Sequence, residues 1–201
     1  MMGELRDAKW YDDVYSSSPM YTDAKAEDLE YWWALWSEVA RIAHHLQPDT
    51  VCDLGSGPGF FLAALERCGW LGTQYTGLDF SEVAVALSRQ RAKTIVPHKM
   101  PRVRYEVADL RTCDIPAADL YVCTETLEHV EDDIGLLRRL HPGSLVLFSV
   151  PNYDSEGHVR WFPDLVVTVA HYGQAVDIEQ AKTMEVGDKL FHVVMGKTRG
   201  R

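Results

Sequence analysis

Three groups of residues along this chain have the types and spacing to do chemistry. The first is Val51-Cys52-Asp53-Leu54-Gly55-Ser56-Gly57-Pro58-Gly59-Phe60, an apolar run ending in an aspartate and then glycines at every second position. Glycines in such a turn let a ligand approach the backbone with no Cβ in the way. Pro58 suits the first position of a following helix, where its missing N–H would be orphaned in any case. A dinucleotide fingerprint needs G-x-G-x-x-G, and its third glycine would fall on Phe60. The pattern is D-x-G-x-G-x-G, without the Lys-Ser/Thr of a phosphate-binding P-loop. The second group is two carboxylates that each close an apolar run, Asp79 before Phe80 and Asp109 before Leu110. Asp79 can accept from both hydroxyls of a ribose. Asp109 can accept from the exocyclic amine of adenine, with the next backbone N–H facing a ring nitrogen. Each also has a plainer use, as a helix cap or a turn residue, although Ser81 suits the cap better. The third group is Thr124-Glu125-Thr126-Leu127-Glu128-His129. A histidine beside two carboxylates can serve as general base toward a hydroxyl, and the same side chains can instead simply cap and hydrate the turn into the next helix.

These groups need strand ends to hold them, and the apolar pattern supplies them. Strands are expected over 50–54, 74–78, 102–107, 119–124 and 144–150, alternating with helices over 58–68, 81–93 and 132–140. Short apolar runs alternating with helical segments mean βαβ units and a mostly parallel sheet. Ahead of them, 24–46 reads as a helix with Leu29, Trp32, Trp33, Trp36, Ala40, Ala43 and Leu46 at spacings of three and four. Its start is loaded with Glu27, Asp28 and Glu30 and its end with Arg41, His44 and His45, as the helix dipole favours. Residues 1–22, with Trp10, Tyr11, Tyr15 and Tyr21, read as an irregular aromatic arm able to close over a ligand as a lid. After residue 160 the pattern weakens, to a short helix over 164–171 and a final strand over 190–196.

The 201 residues suit one domain, 1–201, with the arm and first helix in 1–48 and an α/β core in 49–201. Apolar residues at 46% and charged residues at 25% exclude a disordered or collagenous chain. With 20 Lys+Arg against 30 Asp+Glu, the net charge of −10 argues against a general nucleic-acid binder. The start lacks the apolar run of a signal peptide, and Leu145-Val146-Leu147-Phe148 is too short to span a bilayer. Cys52, Cys68, Cys113 and Cys123 lack metal-site spacing; Cys52 and Cys123 read as buried thiols, and a cytoplasmic setting fits.

In this order, the glycine turn, Asp79 and Asp109 make roughly residues 50–160 resemble the class I S-adenosylmethionine-dependent methyltransferases. The resemblance implies a Rossmann-like, seven-stranded, mostly parallel sheet with helices on both faces and an antiparallel last strand at 190–196. It implies S-adenosyl-L-methionine as cofactor and S-adenosyl-L-homocysteine as product. Asp53, Gly55, Ser56, Gly57 and Gly59 would line the methionine and ribose portions. Asp79 and Phe80 would hold the ribose, and Asp109 and Leu110 the adenine. Thr124 and the segment after it would face the methyl group. Family members that methylate base or amide nitrogens often carry Asn/Asp-Pro-Pro-aromatic there, and this chain does not; Pro151-Asn152-Tyr153 comes one strand later. Glu125-x-x-Glu128-His129 is similar to a segment of ubiquinone-pathway O-methyltransferases and small-RNA terminal 2′-O-methyltransferases, where it can hold a divalent ion. The stretch from Ser149 to Phe162 is similar to one in bacterial small-molecule methyltransferases. There His158 would complete a metal set or act as base, and Arg160 would orient an acidic substrate, unless both are plain loop residues.

The expected activity is methyl transfer to a small-molecule acceptor, at a hydroxyl that His129 deprotonates with help from Glu125 or Glu128. The alternatives are a metal-assisted RNA 2′-O-methyltransferase and a cofactor-binding protein without turnover, since fold does not fix function. Neither a membrane nor a nucleic acid is expected as partner, and no metal ligand is assigned.

Overall fold

A computed structural model describes residues 4–22 and 30–200. Five apolar runs form parallel strands: β1 (Thr50–Leu54), β2 (Gln74–Asp79), β3 (Val103–Val107), β4 (Leu120–Thr124) and β5 (Leu145–Pro151). All five residues of β4 are buried, which is why it reads as a continuous apolar run rather than an alternating one. Two more strands, β6 (Val176–Val186) and β7 (Lys189–Thr198), pair with each other, and β7 runs antiparallel beside β5. The sheet order is β3-β2-β1-β4-β5-β7-β6. The chain winds outward from β1 in one direction and from β4 in the other. The crevice between those two strand ends is therefore the topological switch point, where open α/β sheets bind ligands.

On one face lie α3 (Glu30–Leu46), α4 (Phe60–Arg67) and α5 (Glu82–Ile95), packed through Leu35, Val39, Leu62, Leu65 and Val85. On the other lie α6 (Asp133–Arg138) and α7 (Leu165–Tyr172), packed through Leu136, Leu137, Phe148 and Tyr172. Ser81, Asp132 and Asp164 each accept from a backbone N–H three residues on, and so cap α5, α6 and α7. Cys52 and Cys123 are free thiols buried in the sheet. No described helix is long and apolar enough to cross a membrane.

The structure corrects three sequence expectations. The arm is not irregular: α1 (Ala8–Ser17) and α2 (Pro19–Thr22) are helical. Asp7 caps α1 by accepting from Trp10 N at 2.9 Å, and Trp10, Tyr11, Val14 and Tyr15 share the face it turns to a cavity over the sheet. Asp12 on the same helix accepts from Ser81 Oγ at 2.5 Å and Val83 N at 3.2 Å, which fastens α1 to the start of α5. Second, no helix begins at Pro58. Gly55, Gly57 and Gly59 all adopt left-handed φ values of +72°, +50° and +82°, so the chain is still turning at Pro58 and α4 starts at Phe60. Third, β6 was not foreseen; it is an edge strand whose apolar positions are broken up by Asp177, Glu179, Lys182 and Glu185. The expected start of the long helix over 24–29, with Glu27, Asp28 and Leu29, lies outside the described residues.

Candidate active site

A cavity sits over the switch point, floored by the C-terminal ends of β1, β2 and β4 and roofed by α1. Its glycine turn is pinned by Gly55 N and Ser56 N, which donate to Leu78 O at 2.8 and 2.9 Å. A Cβ on Gly57 would project toward the cavity and meet only Tyr15 Oη, at 3.6 Å. The backbone is thus open to close approach by a ligand. Ser56 Oγ is buried beside it without a hydrogen-bond partner. Gly59 does not line the cavity; its Cα lies against Ser88 and Tyr105, where a Cβ would come within 2.9 Å of both side chains. Gly55 faces Thr126 just as tightly: an added Cβ would stand 2.3 Å from Thr126 Oγ1.

Four buried carboxyls border this space. Asp53 accepts from Tyr75 Oη at 2.5 Å, and burial pushes its pKa up to about 7. Asp79 accepts from Gly57 N at 2.8 Å and Ser81 N at 2.9 Å, and burial raises it to about 6. Glu125 has a left-handed φ of +51°; its Oε1 accepts from Ser149 Oγ at 2.8 Å, and burial raises its pKa to about 8. Glu128 is fully buried, neither carboxylate oxygen has a partner, and burial followed by the nearby Glu125 raises its pKa well above the carboxylate range. A cation seated among these groups would be attracted and would hold them ionised. Asp109 differs. Arg111 grips it with Nε and Nη2 at 2.9 and 2.7 Å, which holds its pKa below the usual range. Phe80, Leu110 and Thr124 also line the cavity.

The histidines are oriented by backbone carbonyls. His129 Nδ1 lies 2.8 Å from Gly157 O and 2.9 Å from Tyr11 Oη. A carbonyl can only accept, so Nδ1 carries the proton and Nε2 keeps its lone pair, 3.9 Å from Glu128 Oε1. His158 Nδ1 likewise faces Tyr153 O at 3.2 Å, and the two rings stand 4.9 Å apart. Burial lowers His129 to about 4 and lowers His158 too, so both are neutral near pH 7. Glu128, His129 and His158 offer ligand atoms that all lie within 4.8 Å of one another. Glu125 is turned to Ser149 instead. Two imidazoles held through Nδ1–H, next to a carboxylate with orphaned oxygens, are a donor set suited to a divalent ion. Arg160 does not line the cavity; it donates to the carbonyls of Leu127, Val130 and Glu131, so it is not placed to orient a substrate.

Several lining residues escaped the sequence reading. Leu5 and Arg6 carry no pattern that marks them, and Lys189 enters from the unforeseen hairpin. Tyr11 was expected in the aromatic arm, but its helix was not, although a signal existed: Asp7 three residues ahead of Trp10, followed by apolar residues at a helical spacing.

A family model described as a methyltransferase domain matches residues 26–185. The chain is 27% identical over 156 residues to a ubiquinone biosynthesis O-methyltransferase of Alkalilimnicola ehrlichii, covering 76% of this chain and 58% of that protein. It is 28% identical over 158 residues to the protein of the same description in Albidiferax ferrireducens, covering 68% and 60%. The chain thus spans less than two thirds of the length of these curated relatives. Among solved structures, an N-methyltransferase of Bradyrhizobium japonicum in complex with S-adenosyl-L-homocysteine aligns with a TM-score of 0.69 at 16% identity, covering 96% of this chain and 99% of that one. Magnesium protoporphyrin IX methyltransferase of Synechocystis, with S-adenosylmethionine bound, aligns with a TM-score of 0.67 at 17% identity, covering 98% and 99%. At those identities the likeness is one of fold.

Proposed function

Since this chain belongs to the class I S-adenosylmethionine-dependent methyltransferases, we propose that it transfers a methyl group to a hydroxyl oxygen of a small-molecule acceptor, with His129 as the base. The observation that carries this reading is the orientation of His129. Its Nδ1–H is committed to Gly157 O, leaving an unprotonated Nε2 lone pair on the wall that the glycine turn shares. When bound, S-adenosyl-L-methionine supplies a methyl on a sulfonium and leaves as S-adenosyl-L-homocysteine.

The chain's residues divide the rest of the work. The turn at Gly55, Ser56 and Gly57 admits the cofactor against the backbone, and Asp53 lies beneath it. Asp79, between Gly57 N and Ser81 N, retains lone pairs for ribose hydroxyls. Asp109, which Arg111 steadies, would face the adenine edge. The buried carboxyls favour the positively charged cofactor over its neutral product. The arm residues Tyr11 and Tyr15 roof the cavity and exclude water, and holding acceptor and methyl donor in line supplies much of the rate. His129 Nε2 takes the hydroxyl proton as the oxygen–carbon bond forms, a contribution of roughly 10²–10⁴-fold. A divalent ion on Glu128, His129 and His158 would instead acidify the hydroxyl directly; the orphaned Glu128 oxygens favour this variant of the same reaction.

The test incubates the protein with S-adenosyl-L-methionine and a panel of hydroxylated small molecules. Homocysteine-product release is followed, and mass spectrometry locates the new methyl. Oxygen methylation that falls about 10²–10⁴-fold in His129→Ala, with cofactor affinity intact, is the expected result. Methylation of an amine nitrogen or of an RNA 3′ end would overturn the acceptor assignment. Full turnover in His129→Ala would overturn the base.

A further inference from the structure

We propose that Arg160 is a positioning residue that holds the loops carrying Glu128, His129 and His158 in one register. The inference rests on the assignment of those three side chains to the reacting centre. Glu128 and His129 belong to the loop after β4, with a single 3₁₀ turn over Leu127–His129; His158 belongs to the loop after β5. Loops of this kind have no ladder to hold them, yet the ligand atoms of all three side chains stand within 4.8 Å of one another.

Three links join the loops. Val159 N donates to Glu128 O at 2.8 Å. His129 Nδ1–H donates to Gly157 O at 2.8 Å. The third is Arg160. Its Nη1 donates to Leu127 O at 2.9 Å and to Val130 O, and its Nη2 donates to Glu131 O at 2.6 Å. Leu127 O also accepts from Val130 N at 3.2 Å within the turn, and one planar fork gathers it together with the carbonyls of Val130 and Glu131 just beyond. The guanidinium is itself anchored, because Nη1 pairs with Asp133 Oδ2 at 3.1 Å. Asp133, 2% exposed, also holds His171 Nε2 of α7 at 2.9 Å. The clamp thus runs from α7 through the start of α6 to the carbonyls that flank Glu128 and His129. A lysine offers a point charge without the fork and cannot meet several carbonyls and a carboxylate together.

The experiment uses the full chain with Arg160→Gln, Arg160→Lys and Asp133→Asn. Mn²⁺ binding and S-adenosyl-L-homocysteine binding are read by calorimetry, and the His129 ring Nδ1–H by proton NMR, with His129→Gln identifying the signal. Arg160→Gln and Arg160→Lys are expected to bind Mn²⁺ about 10–100-fold more weakly, the usual effect of removing an outer support, and to lose the Nδ1–H signal. Homocysteine-product affinity should stay within about twofold, since its contacts lie on other loops; Asp133→Asn should shift the first two readouts in the same direction by less. A folded Arg160→Gln with both readouts unchanged overturns the proposal, and so does full restoration in Arg160→Lys. If the unsubstituted protein binds no Mn²⁺, the metal variant of the reaction fails on its own, and the ring N–H signal still decides for or against Arg160. If Arg160→Gln does not fold, Asp133→Asn decides by the same readouts.

Discussion

The Tyr11 hydroxyl lies 2.9 Å from Nδ1 of His129, the same ring nitrogen that stands 2.8 Å from Gly157 O. An N-terminal helix and the loop after β5 therefore meet on one proton of one imidazole. Because Gly157 O can only accept, it alone suffices to keep that proton on Nδ1, and Tyr11 Oη shares it. Tyr11→Phe should then cost about 0.5–1.5 kcal/mol of stability, the worth of one hydrogen bond, while the His129 Nδ1–H signal persists. A melt and an NMR spectrum check both halves. Loss of the signal would mean that Tyr11, and not Gly157, sets the tautomer.

Asp79 accepts from two backbone N–H groups of the glycine turn and the next helix. Asp79→Ala should weaken S-adenosyl-L-homocysteine binding by about 1.5–3 kcal/mol, the scale for hydrogen bonds to a charged group. Calorimetry measures it. Unchanged affinity would sink the ribose assignment.

Glu125 and Glu128 occupy different surroundings despite their shared motif. Glu128 has no hydrogen-bond partner for either oxygen, whereas Glu125 lacks one at Oε2 alone and is engaged by Ser149 through Oε1. Glu128→Gln should therefore abolish Mn²⁺ binding, and Glu125→Gln should reduce it by about tenfold, the low end of the range for an outer residue. Equal losses would put Glu125 back among the ligands.

The buried carboxyls also set a pH dependence. Asp53 at about 7, Asp79 at about 6 and Glu125 at about 8 keep their protons in the folded protein where the unfolded chain has lost them. Their stabilisation is complete below the unfolded carboxyl range and is lost as pH rises through these folded values. His129 acts oppositely: with a folded value of about 4, it makes stability fall as pH drops from the ordinary histidine range toward 4. Above about pH 6.5, the ordinary histidine value, only the carboxyls remain in play. The melting temperature of the ligand-free protein should thus fall between about pH 6.5 and 8. A rising melting temperature over that interval would contradict the shifts.

The βα alternation made β1 through β5 legible; β1, β4 and β5 are almost wholly buried and read as apolar runs, whereas β3 at the sheet edge alternates, with Arg104 and Glu106 exposed. Asp53, Asp79 and Thr124 could be placed at the cavity because they lie at the ends of those strands, whereas Gly59, expected beside them, does not line it. What stayed hidden depends on contacts between segments distant in sequence. β6 is an edge strand with charges facing water, so it lacks a buried-strand run. The grip of Arg111 on Asp109 spans two residues but needs the turn to form. The grouping of His158 with Glu128 and His129, leaving Glu125 with Ser149, depends on how two loops pack. Aromatic residues and serines masked α1, although its Asp7 cap and helical spacing were present.

Gly55 touches Thr126 so closely that no side chain fits between them. Anyone building variant libraries to admit bulkier sulfonium analogues would begin with the glycine turn. At position 55 a larger residue would push on Thr126, whose neighbours are Glu125 and the turn bearing Glu128 and His129. Such a variant would score as dead for want of chemistry even if it still bound the analogue. A change at 55 must therefore meet both the contact with 126 and the left-handed backbone, φ +72°, and relief at 126 alone does not open the position.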